Sequence, residues 1–156
     1  LFLESSYSLA LFLFFIASFS DFLDGYLARK TNSVSVLGEI LDPIADKLLI
    51  VFVLIGLSIN LDSFLIGFIS ATIISREIWV AALRDINSRN NQSNKTRVTF
   101  LAKTKTAIQM LAILMYLFGL TLNNMMILFF ADIVLIIALL ITIQTGFQYT
   151  ISTFKK

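Results

Sequence analysis

Five apolar stretches, each close to the length needed to cross a bilayer, leave this chain few folds to choose from. They run roughly over Tyr7–Ala28, Leu37–Ile59, Phe64–Leu83, Thr104–Leu122 and Met125–Ile151. A helix needs about 20 residues to traverse the hydrocarbon core. One Pro and six Gly leave little to interrupt long helices. Runs of Phe, Leu and Ile without strict alternation argue against a lipid-facing barrel. Charged residues make up only 14% of the chain, against about a quarter in soluble domains. The expected fold is all-α: a polytopic transmembrane helix bundle of five spans, forming a single domain over residues 1–156.

The connecting segments predict which side is which. Arg29 and Lys30 follow the first span, and Arg84, Arg89, Lys95, Arg97, Lys103 and Lys105 crowd the region between the third and fourth. Lys155 and Lys156 end the chain, whereas Ser58–Ser63 and Thr121–Asn124 hold no Lys or Arg. Under strict alternation every basic segment falls on one side, which the positive-inside rule makes cytoplasmic. The polar stretch from Asn87 to Thr99 reads as a cytoplasmic loop. Leu1 follows no charged n-region, so no signal peptide is expected, and the numbering is read as starting partway into a longer protein. A net charge of +2 is too small to argue for nucleic acid.

Four carboxylates interrupt this apolar pattern. Asp21 and Asp24 stand at i and i+3, and Asp42 and Asp46 at i and i+4, so each pair lies on one face of a helix. Charge at membrane depth is costly, and four of one sign require cations or protons. The chain has no His and no Cys, so softer metals lack their usual ligands. Two divalent ions on oxygen ligands, Mg2+ or Mn2+, would balance the four charges. The competing reading is a cation-coupled transporter, since intramembrane carboxylates also line ion paths. At ~1.5 Å per residue Asp24 stands roughly 8 Å from Arg29 at the interface. That depth would admit a lipid headgroup from the side and a soluble substrate from the cytosol.

The residues compose D-x-x-D-G-x-x-A-R, eight residues, then G-x-x-x-D-x-x-x-D, with every fixed position filled between Asp21 and Asp46. In this the chain resembles the CDP-alcohol phosphatidyltransferases. The resemblance implies that Asp21, Asp24 and Asp42 are metal ligands and that Asp46 is both a ligand and the catalytic base. It also implies that Asp21, Gly25, Ala28, Arg29 and Gly38 bind the CDP part of a CDP-diacylglycerol donor. Physical reasons accompany it: small residues let a nucleotide or helix approach the backbone, and an Arg can fork onto a diphosphate. The resemblance further implies a homodimer among membrane lipids.

Three cations point to the acceptor. Arg76 lies inside the third span beside Glu77, and Lys103 and Lys105 open the fourth. Read as lacking full acidic partners, they suit the phosphate of an anionic acceptor. Adjacent residues on a helix point about 100° apart, so Glu77 is expected to pair with another span. Either Lys alone would also fit positive-inside charge. The K-T-K-T-x-x-Q block, the R-E pair and L-D-P-I-A-D-K-L-L resemble the bacterial phosphatidylglycerophosphate synthases. That branch implies transfer to sn-glycerol 3-phosphate with release of CMP, in the inner membrane with the site facing the cytoplasm. Serine, inositol or inositol phosphate are the alternative acceptors. The family's additional first span, with its N-P-N-x-L-T-type sequence, has no counterpart here, and Ala102 replaces the branch's frequent Gly. Lys47 is expected to tune the cluster, Glu39 to serve a helix start or support a ligand, and Asp132 to be solvated or paired. Trp79 and the Phe-rich first span are expected to contact lipid.

Overall fold

A computed structural model of the chain describes residues 6–31, 36–90 and 100–155; within them, backbone alone is described at 21–31, 36–43, 46 and 100–103. The described residues form five helices and no strand: α1 (Tyr7–Thr31), α2 (Val36–Asn60), α3 (Phe64–Arg89), α4 (Phe100–Thr121) and α5 (Met125–Phe154). All five expected spans are helices. Three of them, α3, Thr104–Thr121 of α4, and α5, are long and apolar enough over their described residues to cross a membrane. Large apolar side chains also cover the outside, with Phe52 66%, Leu140 60% and Phe147 68% exposed. Apolar surface on both the inward and outward faces is what a membrane span presents, because lipid replaces water around it.

Two tight turns of one construction join α2 to α3 and α4 to α5. Two residues past the end of each helix stands one with left-handed backbone, Asp62 (φ 46°) and Asn123 (φ 49°). Asp and Asn tolerate that region better than most residues with a side chain. The amide after each reaches back five residues, Ser63 N to Ser58 O and Asn124 N to Gly119 O, both 2.9 Å. This is the Schellman closure of a helix C-terminus. The same residue then caps the next helix. Ser63 Oγ accepts from Ile66 N at 3.4 Å, and Asn124 Oδ1 accepts from Met126 N at 3.0 Å. At the same end, Tyr7 Oη donates to Asn60 Oδ1 at 3.0 Å, tying the start of α1 to the end of α2.

Beyond the turns the helices pack closely where glycines allow it. A Cβ on Gly119 would lie 2.8 Å from Leu128 Cδ2, and one on Gly67 would lie 2.8 Å from Ser58 Oγ. The main apolar core follows, with Leu54, Leu57, Ile69, Ile113, Leu117 and Leu135 among its members. Below it lies a polar layer containing Arg76, Glu77, Lys105, Gln109, Thr142 and Thr145. A second small apolar cluster of Val80, Leu83 and Tyr149 closes the far side.

The structure corrects the expected loop from Asn87 to Thr99. Helix α3 continues to Arg89; Asn87 is buried and its Nδ2 donates to Thr153 Oγ1 of α5 at 2.9 Å. An amide side chain that finds a hydroxyl on the neighbouring helix favours continuing the turn over leaving it. Residues 91–99 of that loop lie outside the described residues. Trp79 is half-exposed, and its Nε1 donates to Thr150 Oγ1 at 2.8 Å.

Candidate active site

Both aspartate pairs fall in continuous helix, Asp21 and Asp24 in α1 and Asp42 and Asp46 in α2. The Tyr7–Asn60 tether fixes how far along each helix they sit. Asp21 is fourteen residues after Tyr7 and Asp46 fourteen before Asn60; Asp24 is seventeen after and Asp42 eighteen before. At ~1.5 Å per residue, the inner members of the two pairs stand roughly 21 Å along their helices and the outer members roughly 26 Å. Counting from opposite directions therefore brings all four to matching depths. An oxygen-only donor set on two helices, ranged over roughly 21–26 Å from the tether, fits hard divalent cations. The side chains of Asp21, Asp24, Gly25, Ala28, Arg29, Gly38, Asp42, Asp46 and Lys103 themselves lie outside the described residues.

Next along α2 comes Lys47, whose side chain is described, and it opens the polar layer. Lys47 Nζ lies 3.2 Å from Glu77 Oε2. The other carboxylate oxygen, Oε1, accepts from Arg76 Nη1 at 2.8 Å and from Lys105 Nζ. Glu77 thus collects cations from α2, α3 and α4. Arg76, at the edge of full burial, and Lys105, well within it, are both far from water, where an unpaired charge would be strongly destabilising.

The neighbouring helix α5 is shaped around Arg76. Nη2 donates to Thr145 Oγ1 at 2.9 Å. Thr145 Oγ1 in turn donates to Ile141 O at 2.8 Å, so the hydroxyl is oriented with its lone pairs toward the guanidinium. A Cβ on Gly146 would stand 3.2 Å from Arg76 Cγ, so the missing side chain is what lets the Arg stem lie against α5. The guanidinium carbon is 5.6 Å from the centre of the Tyr149 ring, within cation–π reach. Gln109 Nε2 donates to Thr142 Oγ1 at 3.2 Å and continues the polar layer.

Two spaces adjoin the cluster. One, about 30 Å³, is lined by Lys47, Glu77, Lys105, Thr106 and Gln109 with apolar neighbours. The other is an apolar groove of about 350 Å³ between α2 and α3, in which Lys47 and Glu77 are the charged residues.

The expected convergence of Arg76 and Lys105 is present, but their expected lack of acidic partners is not, because Glu77 serves both. Glu77 pairs with other spans as its position implied, and also with Arg76 beside it. The long guanidinium arm spans the angle between adjacent helical residues. Sequence reasoning gave Glu77 a pairing role alone, not the centre of the cluster, and passed over Thr145 and Gly146. A carboxylate in the middle of an apolar span was the available signal. Asp132 is paired, accepting from Tyr116 Oη.

The chain is thus a bundle of long apolar helices with aspartate pairs in α1 and α2 and a buried cationic cluster around Glu77. The chain belongs to the CDP-alcohol phosphatidyltransferase family, whose pattern matches residues 1–144. It is 39% identical over 149 residues to the CDP-diacylglycerol–glycerol-3-phosphate 3-phosphatidyltransferase of Haemophilus influenzae, covering 94% of this chain and 78% of that protein. Against the protein of the same description in Rickettsia bellii it is 42% identical over 138 residues, covering 88% and 74%. Against that of Blochmanniella floridana it is 41% identical over 102 residues, covering 65% and 54%.

Proposed function

We propose that this chain is a phosphatidylglycerophosphate synthase of phospholipid biosynthesis, which transfers the phosphatidyl group of CDP-diacylglycerol to sn-glycerol 3-phosphate. The observation that carries the reading is the convergence of Arg76 and Lys105 beside Lys47, the residue that follows Asp46. Buried positive charge that reaches the residue following the proposed base supports a site in which an acceptor's phosphate would anchor its reacting hydroxyl. Relatives of the same description over most of the chain support the same acceptor.

In this reading the acceptor hydroxyl attacks the donor's β-phosphorus. The new O–P bond forms as the bond to CMP breaks, and Asp46 takes the proton. Divalent ions held by Asp21, Asp24, Asp42 and Asp46 would polarise the phosphoryl oxygens and stabilise the leaving phosphate. Gly25, Ala28, Arg29 and Gly38 would hold the CDP portion, and Arg76, Lys105 and Lys103 the acceptor's phosphate. The enzyme would act as a homodimer in the inner membrane with its site facing the cytoplasm, an orientation supported by the basic residues at that end of the helices.

The test is CMP release by the full-length protein with CDP-diacylglycerol and magnesium, offering glycerol 3-phosphate, serine, inositol or inositol phosphate. Turnover with glycerol 3-phosphate alone, lost in Asp46→Asn, is the expected result. Turnover with another acceptor would overturn the acceptor assignment and keep the family chemistry.

A further inference from the structure

We propose that Glu77 is a positioning residue that holds the place of the acceptor's phosphate: its carboxylate occupies the cations until the phosphate displaces it. The inference rests on Arg76 and Lys105 being the acceptor site. Both carboxylate oxygens are committed, Oε1 to Arg76 and Lys105 and Oε2 to Lys47. The small space beside them is lined by Lys47, Glu77, Lys105, Thr106 and Gln109. An incoming phosphate takes up Arg76 and Lys105 only as the carboxylate lets go of them.

Charge selects the side chain and the ligand. Lys47, Arg76 and Lys105 against Glu77 sum to three positive and one negative, a net of two positive charges. A phosphate monoester carries about −1.5 to −2 near neutral pH, so it neutralises the cluster while Glu77 stays charged nearby. Serine or inositol would leave buried charge uncompensated, which is costly. Glu77 therefore contributes to discrimination, setting the residual charge that a dianion matches.

The geometry supplies a second position for the carboxylate. Arg76 is fixed from behind by Thr145 and by the close surface of Gly146. Lys47 is 42% exposed and borders the apolar groove between α2 and α3, as does Glu77. Turning toward that groove, Glu77 keeps Lys47 as its partner and frees Arg76 and Lys105. Lys47 is then the handle of the exchange, and the two arrangements differ in which cations the carboxylate touches.

The test compares wild type with Glu77→Gln in steady state, with inorganic phosphate as inhibitor. Removing the competing charge should lower the KM for glycerol 3-phosphate about fivefold or more. Phosphate inhibition should tighten in parallel, with the KM for CDP-diacylglycerol unchanged. A raised or unchanged KM for glycerol 3-phosphate would overturn the proposal, because a carboxylate that merely braces the fold would weaken both substrates. Lys47→Gln covers the case in which Glu77→Gln does not fold. Without its handle the carboxylate stays on Arg76 and Lys105, and the KM for glycerol 3-phosphate should rise; no rise would equally overturn the idea. Calorimetric binding of inorganic phosphate reads the same contrast without turnover. Wild type inactive on glycerol 3-phosphate, with Glu77→Gln still binding phosphate more tightly, would remove the proposed acceptor and leave the placeholder standing.

Discussion

Arg76 is held by one hydroxyl and one absent side chain, and each gives a prediction. Thr145→Val keeps the shape of the side chain but removes the acceptor for Arg76 Nη2. A buried donor left unpaired costs about 1–3 kcal/mol. The thermal midpoint in detergent should fall and the KM for the acceptor should rise, with Thr145→Ser restoring both. Gly146→Val adds methyl groups beyond a Cβ that already stands 3.2 Å from Arg76 Cγ. It should displace the guanidinium and reduce kcat/KM for the acceptor by roughly tenfold or more, equivalent to about 1.4 kcal/mol. At this scale the sequence was only partly readable. The four aspartates declare themselves, since carboxylates in an apolar run have few explanations. Thr145 and Gly146 do not, because small residues are ordinary in a span and their meaning depends on which helix lies opposite. Glu77 was visible as an oddity, but its three partners come from three helices whose lateral order no periodicity encodes.

At the scale of helices and turns, the left-handed residues are the sensitive points. Asn123, at φ 49°, should accept Gly with little change. A β-branched Val there should cost about 1–2 kcal/mol. Asn124→Ala removes the acceptor for Met126 N and should cost about 1 kcal/mol. Thermal unfolding in a fixed detergent ranks the three. The helices themselves were legible from hydropathy because lipid imposes a minimum length on each apolar run. The turns were legible as the short polar breaks Ser58–Ser63 and Thr121–Asn124. The far end of α3 was not, because the polar composition around Asn87 resembles a loop. Its burial depends on Thr153, sixty-six residues away.

For the whole molecule, the orientation is testable without background, since the chain has no cysteine. Single substitutions Asp62→Cys and Asn123→Cys place thiols in the two tight turns, and Asn90→Cys places one at the opposite end. An impermeant thiol reagent added to intact cells should label the first two, and the third only after the membrane is opened. The reverse pattern would invert the proposed topology and put the site on the other face.

Both hairpins are closed by the same rigid turn at the same end, and α1 is tied to α2 there as well. Mechanically this makes α1 and α2 a pair of arms pinned at that end, whereas Asn87–Thr153 and the Val80, Leu83 and Tyr149 cluster also hold α3 to α5 at the other. For arms pinned at one end, the displacement a change in tilt produces grows in proportion to distance from the pin. Lys47 is thirteen residues from Asn60, roughly 20 Å down the helix. A tilt of only about 6° would move it by about 2 Å, most of the width of a hydrogen bond. The sequence concentrates its chemistry where the arms are longest.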